Sequence, residues 1–225
     1  MLRGIVLGLL LLTASLPARA QGDQQALVDR AALAVQELLT TGDGAQDARS
    51  FLRRARAVMI CPRIFRAGFI LGGEGGSCAL VGRDGAGSWS SPAFYQLGAG
   101  SVGLQIGIQD AMVMMMIMTD RGLQAVMDSQ FTLGADASIA IATIGGGIQG
   151  GTTTAAGADI VSVARSRGLF AGISLQGSIL TFLSDWVRGY YGRDYSARQI
   201  VVGMEAHNPG SDPLRAMLLQ HGAAN

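Results

Sequence analysis

From Phe65 onward the apolar residues recur at every second position, and glycines stand inside the alternating stretches as well as between them. A period of two belongs to strands with one face against a core. Glycine inside a strand marks a bulge, a bend or a close backbone approach. A chain with 33 glycines placed this way is directed toward a strongly curved sheet. Candidate strands are 65–71, 77–82, 98–108, 111–118, 132–143, 158–164, 169–175 and 178–183. Turns are expected at Gly72–Gly76, at Arg83-Asp84-Gly85 and at Gly145-Gly146-Gly147.

Ahead of the strands the period is helical. Leu27, Ala31, Ala34, Val35, Leu38 and Leu39 predict a helix over 23–40 with Asp23 as its cap. Phe51, Leu52, Ala55, Val58 and Met59 predict a second helix from about 46 to 60, ended by Pro62. A short helix near 213–220 follows Asp212, with Pro213 at its first position. The fold class is therefore α+β: two N-terminal helices, then a Gly-rich, curved, mostly antiparallel β-sheet or barrel-like sandwich. A weak internal echo pairs Leu97-Gly98-Ala99 with Leu133-Gly134-Ala135, and Arg121-Gly122-Leu123 with Arg167-Gly168-Leu169.

Residues 1–20 read as a signal peptide. Arg3 supplies the positive start, Ile5–Leu12 the short apolar run, and Ala18-Arg19-Ala20 the small-residue cleavage site. The domain is expected over 21–202, and a C-terminal tail with the short helix over 203–225. Export, to the periplasm or the medium, is the expected localisation. Cys61 and Cys78 are compatible with a disulfide in an exported chain, and equally with two buried small hydrophobes.

The residues offer little for catalysis. The chain has no lysine, so all 17 cationic side chains are arginine, and both histidines (His207, His221) lie near the C-terminal end. No catalytic residues, cofactor or metal ligands are expected. Gly98-Ala99-Gly100-Ser101-Val102-Gly103 matches GxGxxG, but the residues after it alternate as a strand, whereas a dinucleotide loop opens a helix. The five methionines between Met112 and Met118 fit a strand buried on both faces better than a partner-binding surface.

The informative feature is basic. Arg49, Arg53, Arg54, Arg56, Arg63 and Arg66 fall in eighteen residues without an acidic one. On the predicted helix Arg49, Arg53 and Arg56 line one face, with Phe65 and Phe69 following. Guanidinium groups bind phosphate oxygens bidentately, so this stretch is the candidate lipid-binding site. A solvated helix face is the plainer reading of the same charges. Arg165 and Arg167, two apart on one strand face, form a secondary basic pair. Nucleic acid is not expected as a partner, because the whole chain carries a net charge of only +1.

Ser88-Trp89-Ser90-Ser91-Pro92, the Gly-rich Leu97–Gly107 with Asp110 after it, and above all Arg165-Ser166-Arg167-Gly168-Leu169-Phe170-Ala171-Gly172-Ile173-Ser174-Leu175-Gln176-Gly177-Ser178 resemble the SYLF domain family. Tyr190-Tyr191-Gly192 is similar to its terminal Tyr-Gly element, and the resemblance spans roughly residues 30–200. It implies non-enzymatic binding of anionic lipids, phosphoinositide-type headgroups in eukaryotic members, by an N-terminal basic amphipathic region. The stretch from Arg49 to Arg66 occupies the equivalent place. Some fungal members bind and bundle actin. The Src-homology 3 and zinc-finger modules of eukaryotic members do not occur in these 225 residues, so actin is not expected as the native partner. Bacterial members are typically exported, which suggests a peripheral membrane association. The competing expectation is a structural or protein-interaction module of the envelope, with the sheet as a homo-oligomer interface and no lipid binding.

Overall fold

The computed structural model describes residues 18–42, 44–68, 71–102, 107–143, 157–168 and 175–223. Two helices, α1 (Ala18–Thr40) and α2 (Ala45–Arg54), precede four strands: β1 (Ala57–Gly68), β2 (Leu71–Gly82), β3 (Ala93–Val102) and β4 (Gly107–Ile117). Then come α3 (Asp120–Val126), β5 (Gln130–Thr132), β6 (Ile139–Thr143), β7 (Ile160–Gly168) and β8 (Ile179–Phe182). The chain finishes with α4 (Ser184–Tyr191), α5 (Ala197–Val201), a 3₁₀ turn over Pro209–Ser211 and α6 (Asp212–Gly222). The strands form one sheet in the order β5-β8-β3-β2-β1-β4-β7-β6. Every pair is antiparallel except β6 with β7.

That order forces the sheet to curl. β5 and β6 are consecutive in the chain yet occupy opposite edges. Eight flat strands would set those edges about 34 Å apart, while the seven steps from Thr132 to Ile139 reach at most about 25 Å. The connection is not even extended: Leu133 bridges Ala137, and the Gly134 N–H donates to the Ala137 carbonyl at 2.9 Å. The result is a half-barrel with a helical layer packed against it.

α1 carries Leu27, Ala31, Val35, Leu38 and Leu39 into the core and packs on β1, β2, β4 and β7. α6 lies along α1 and touches α2, with Leu214 and Leu218 fully buried, so the C-terminal helix belongs to the core. The helix begins at Ala18, and Asp23 lies inside it rather than capping it. Met114, Met115 and Met116 of β4 are buried on both faces, which places the methionine run in the core.

The second helix is shorter than its apolar spacing suggests. It ends at Arg54, and Val58-Met59-Ile60-Cys61 belong to β1, a central strand buried on both sides. A four-residue apolar run satisfies a doubly covered strand as well as one helix face, and flanking strands β2 and β4 decide the matter. Pro62 does not end a helix. It sits in a β-bulge, where the pairing of β1 with both neighbours shifts register and a missing N–H removes no ladder bond.

Other segments differ as well. Gly72–Gly76 is part of β2, paired with β1 and β3, instead of a turn. The 98–108 stretch divides between β3 and β4, and 132–143 divides between β5 and β6. The internal echo has no structural counterpart: Arg121-Gly122-Leu123 lies in α3, whereas Arg167-Gly168 ends β7. α3, α4 and α5 have no counterpart among the sequence expectations. Gly145-Gly146-Gly147 and most of the 169–175 segment lie outside the described residues.

The motif residues at 88–92 and 190–192 meet at one junction. Tyr191 Oη donates to the Pro92 carbonyl at 2.6 Å, the Gly82 N–H donates to Ser90 Oγ at 2.9 Å, and Phe94 packs edge-on against Tyr190 at 5.1 Å. Here α5 crosses β2 so closely that a Cβ on Gly82 would collide with the Val201 carbonyl. Gly82→Ala is expected to destabilise the fold by about 2 kcal/mol through overpacking, measured as a lower urea midpoint with an unchanged slope. An unchanged midpoint would mean that α5 yields freely.

Candidate functional site

The six arginines of the basic stretch do not share a face. Arg56 lies beyond the end of α2, so it does not line a helix with Arg49 and Arg53, and it pairs with Asp120 at 2.9 Å. Arg63, in the bulge, grips Asp110 of β4 with two bonds of 2.8 and 3.0 Å and lies over the Phe65 ring. That bond holds the Asp110 carboxyl below its ordinary range. Arg66 pairs with Glu74, whose other oxygen accepts from Ser178 Oγ at 2.9 Å. Phe65 is exposed; Phe69 lies outside the described residues.

Both members of the secondary pair lie on β7. Arg165 bonds Glu37 at 3.2 Å and the Thr41 carbonyl at 2.7 Å, fastening β7 to the end of α1. Arg167 stands opposite Asp110 in the β4–β7 ladder. Cys61 and Cys78 are joined by a disulfide between adjacent strands, both residues fully buried.

What remains is α2. Its apolar side (Ala45, Ala48, Leu52) is buried, and Arg49, Arg53 and Arg54 project from the rest. Arg49 is half-buried and donates to the Leu39 carbonyl at 3.0 Å, in the last turn of α1. Arg54 lies over the Phe51 ring. Among the described residues, no carboxylate pairs with any of these three. Between α2 and the end of α6 is an open cleft of about 500 Å³, lined by Gln46, Arg49, Arg53, Gln220, His221 and Ala223.

One residue the sequence reading passed over sets this cleft. Arg83, in the turn after β2, donates to the Arg53 carbonyl at 2.7 Å and to the Gly222 carbonyl at 3.1 Å, with its guanidinium over the Trp89 ring. It thus engages the C-terminal carbonyls of α2 and α6 together. His221, which the sequence places in the C-terminal tail, is held below the ordinary histidine value by burial and by Arg49. Nothing in local sequence could have joined residues 49, 83 and 221. Among the described residues no cluster of three or more candidate metal ligands occurs, and no helix is long and apolar enough to cross a membrane.

The chain is thus a half-barrel packed against a helical layer, with an arginine-lined cleft at the helix ends. The model of the Ysc84 family, described as "Las17-binding protein actin regulator", matches residues 98–221. The chain belongs to this family, which is the SYLF family whose signature runs through residues 165–178. It is 32% identical over 172 residues to an SH3 domain-containing protein of Schizosaccharomyces pombe, covering 75% of this chain and 40% of that protein. It is 31% identical over 141 residues to the human SH3 domain-containing YSC84-like protein 1, covering 62% of this chain and 41% of the relative. The LAS seventeen-binding protein 3 of Saccharomyces cerevisiae is 29% identical over 170 residues, 74% of this chain and 37% of the relative. The chain therefore spans about two fifths of the length of these relatives. The family description and the name of the S. cerevisiae relative speak of binding and regulation.

Proposed function

We propose that this domain binds anionic phospholipid surfaces without catalysing a reaction, and that α2 is the contact. The observation that carries this reading is the division of the arginines. Arg56, Arg63, Arg66 and Arg165 are each bonded to a carboxylate, whereas Arg49, Arg53 and Arg54 project from one helix with no carboxylate against them among the described residues. A basic side chain near an anionic membrane contributes about 1 kcal/mol, falling off within a Debye length. Three on one helix hold a protein reversibly. The same proposal places the protein outside the reducing cytoplasm: the Cys61–Cys78 disulfide and the signal-like residues 1–20 both suit an oxidising compartment. Phosphatidylglycerol or cardiolipin would then be the available lipids.

Vesicle co-sedimentation tests it. The protein should pellet with phosphatidylglycerol vesicles at low salt, stay in solution with neutral ones, and be released as salt rises. Arg53→Ala with Arg54→Ala should weaken binding roughly 30-fold, the equivalent of about 2 kcal/mol. A folded protein that ignores all vesicles sinks the proposal. Pelleting with actin filaments in a parallel arm, with no response to vesicles, would transfer the function suggested by the family description to this chain instead.

A further inference from the structure

The cleft between α2 and α6 is a concave place with donors on two walls, and among the described residues neither of its arginines pairs with a carboxylate. Arg49, Arg53 and Gln46 come from α2, and His221 and Gln220 from α6. Among the described residues, no carboxylate lines it. The helix ends that meet nearby would ordinarily repel an anion, each carrying about half a negative charge. Here their carbonyls are engaged: Leu39 by Arg49, Arg53 and Gly222 by Arg83. Arg49, Arg53 and Arg83 together outweigh three half-charges. Arg49 is also oriented in advance by its bond to Leu39, which lowers the ordering entropy lost when it takes up a ligand oxygen. Amide groups and an imidazole beside paired guanidiniums suit the several oxygens of a phosphate better than a single-point carboxylate.

We infer that this cleft is a discrete phosphate-binding site, with Arg49, Arg53 and His221 around the phosphate and Gln46 and Gln220 bonding its substituents. The ligand class is a phosphate ester of headgroup size. The inference rests on the proposed membrane function and deepens it: binding is stoichiometric at one headgroup as well as diffuse over α2. It also gives the C-terminal helix a role, since half of the site comes from α6.

The test uses the full chain and reads the imidazole signals of His221 and His207 by NMR. Probes are dihexanoyl phosphatidylglycerol below its micelle concentration, sodium phosphate, and phosphatidylglycerol vesicles. The expected result is a saturable shift of His221 but not of His207 with the short-chain lipid, at least tenfold weaker in Gln220→Glu and in Arg53→Gln. Gln220 is exposed, and near-UV circular dichroism checks that its variant is folded. If vesicles bind but His221 never responds, and Gln220→Glu binds vesicles like the parent, the cleft is not a site and only the diffuse surface stands. If sodium phosphate saturates His221 as tightly as the lipid and vesicles do not bind, the phosphate site stands and the membrane function falls.

Discussion

Asp159→Ala is expected to lower stability by about 3 kcal/mol, because it removes a buried, fully engaged carboxylate. Asp159 begins β7's approach and its side chain is 5% exposed. Thr119 Oγ1 donates to it at 2.6 Å, the Ser138 N–H at 3.0 Å and Ser138 Oγ at 2.7 Å, and the Arg121 guanidinium pairs with it. These groups belong to the start of α3 and the lead-in to β6, so one carboxylate ties together the corner where the half-barrel draws its two edges close. Every neighbour donates, so asparagine would point its NH₂ at another donor. Asp159→Asn should therefore recover little, about 1 kcal/mol of the loss. Thermal unfolding should show a drop of roughly 6–12 °C for the alanine variant. A change of under 2 °C would mean that the corner is held by the backbone alone.

The same carboxylate gives a pH signature. The Arg121 bond first, with Thr119 and Ser138, holds its folded pKa well below the ordinary carboxylate range, against the opposing effect of burial. A depressed folded value means that the unfolded chain binds the proton more readily. The contribution is complete above the unfolded value of about 3.9 and is lost as pH falls from there through the folded value. The stability gap between the parent protein and Asp159→Asn should thus be constant from pH 5 to 7 and narrow below pH 4. A gap independent of pH would show that the charge contributes nothing.

The second large effect is expected from the Cys61–Cys78 disulfide. It closes a loop of sequence separation 17, for which cross-linking the unfolded chain contributes about 3 kcal/mol. Cys61→Ala with Cys78→Ala should lower the unfolding midpoint accordingly in urea. With both residues fully buried, the native protein should also resist reduction by dithiothreitol until it opens. Rapid reduction under native conditions, with no loss of stability in the double variant, would make the bond incidental.

How much of this was legible in the sequence depends on the range of the interaction concerned. α1 was readable because six of its core positions repeat at helical spacing, a pattern generated within the helix itself. The strand-rich, curved second part was readable from the period of two and the embedded glycines. The SYLF signature at 165–178 made the family readable. The six arginines of the basic stretch were visible as a cluster, but their grouping was misjudged. Adjacent in sequence, they diverge because α2 ends at Arg54 and the chain turns into β1, where carboxylates from β2, β4 and α3 neutralise three of them.

The sequence by itself determined the element types wherever periodicity is local: a long apolar-striped helix, alternating strands, and a basic stretch ahead of them. Tertiary structure alone decided the end of α2, because Val58–Cys61 suit either conformation until strands flank them on both sides. It alone decided which arginines are spent on internal ion pairs, since Asp110, Asp120 and Glu74 lie far from them in the chain or across a hairpin. It alone built the cleft, because Arg49, Arg53 and His221 line one space only when α6 returns to lie against α1 and α2. Hydrophobic period is a short-range property of the chain, whereas charge pairing is settled by whichever group the fold brings within about 4 Å.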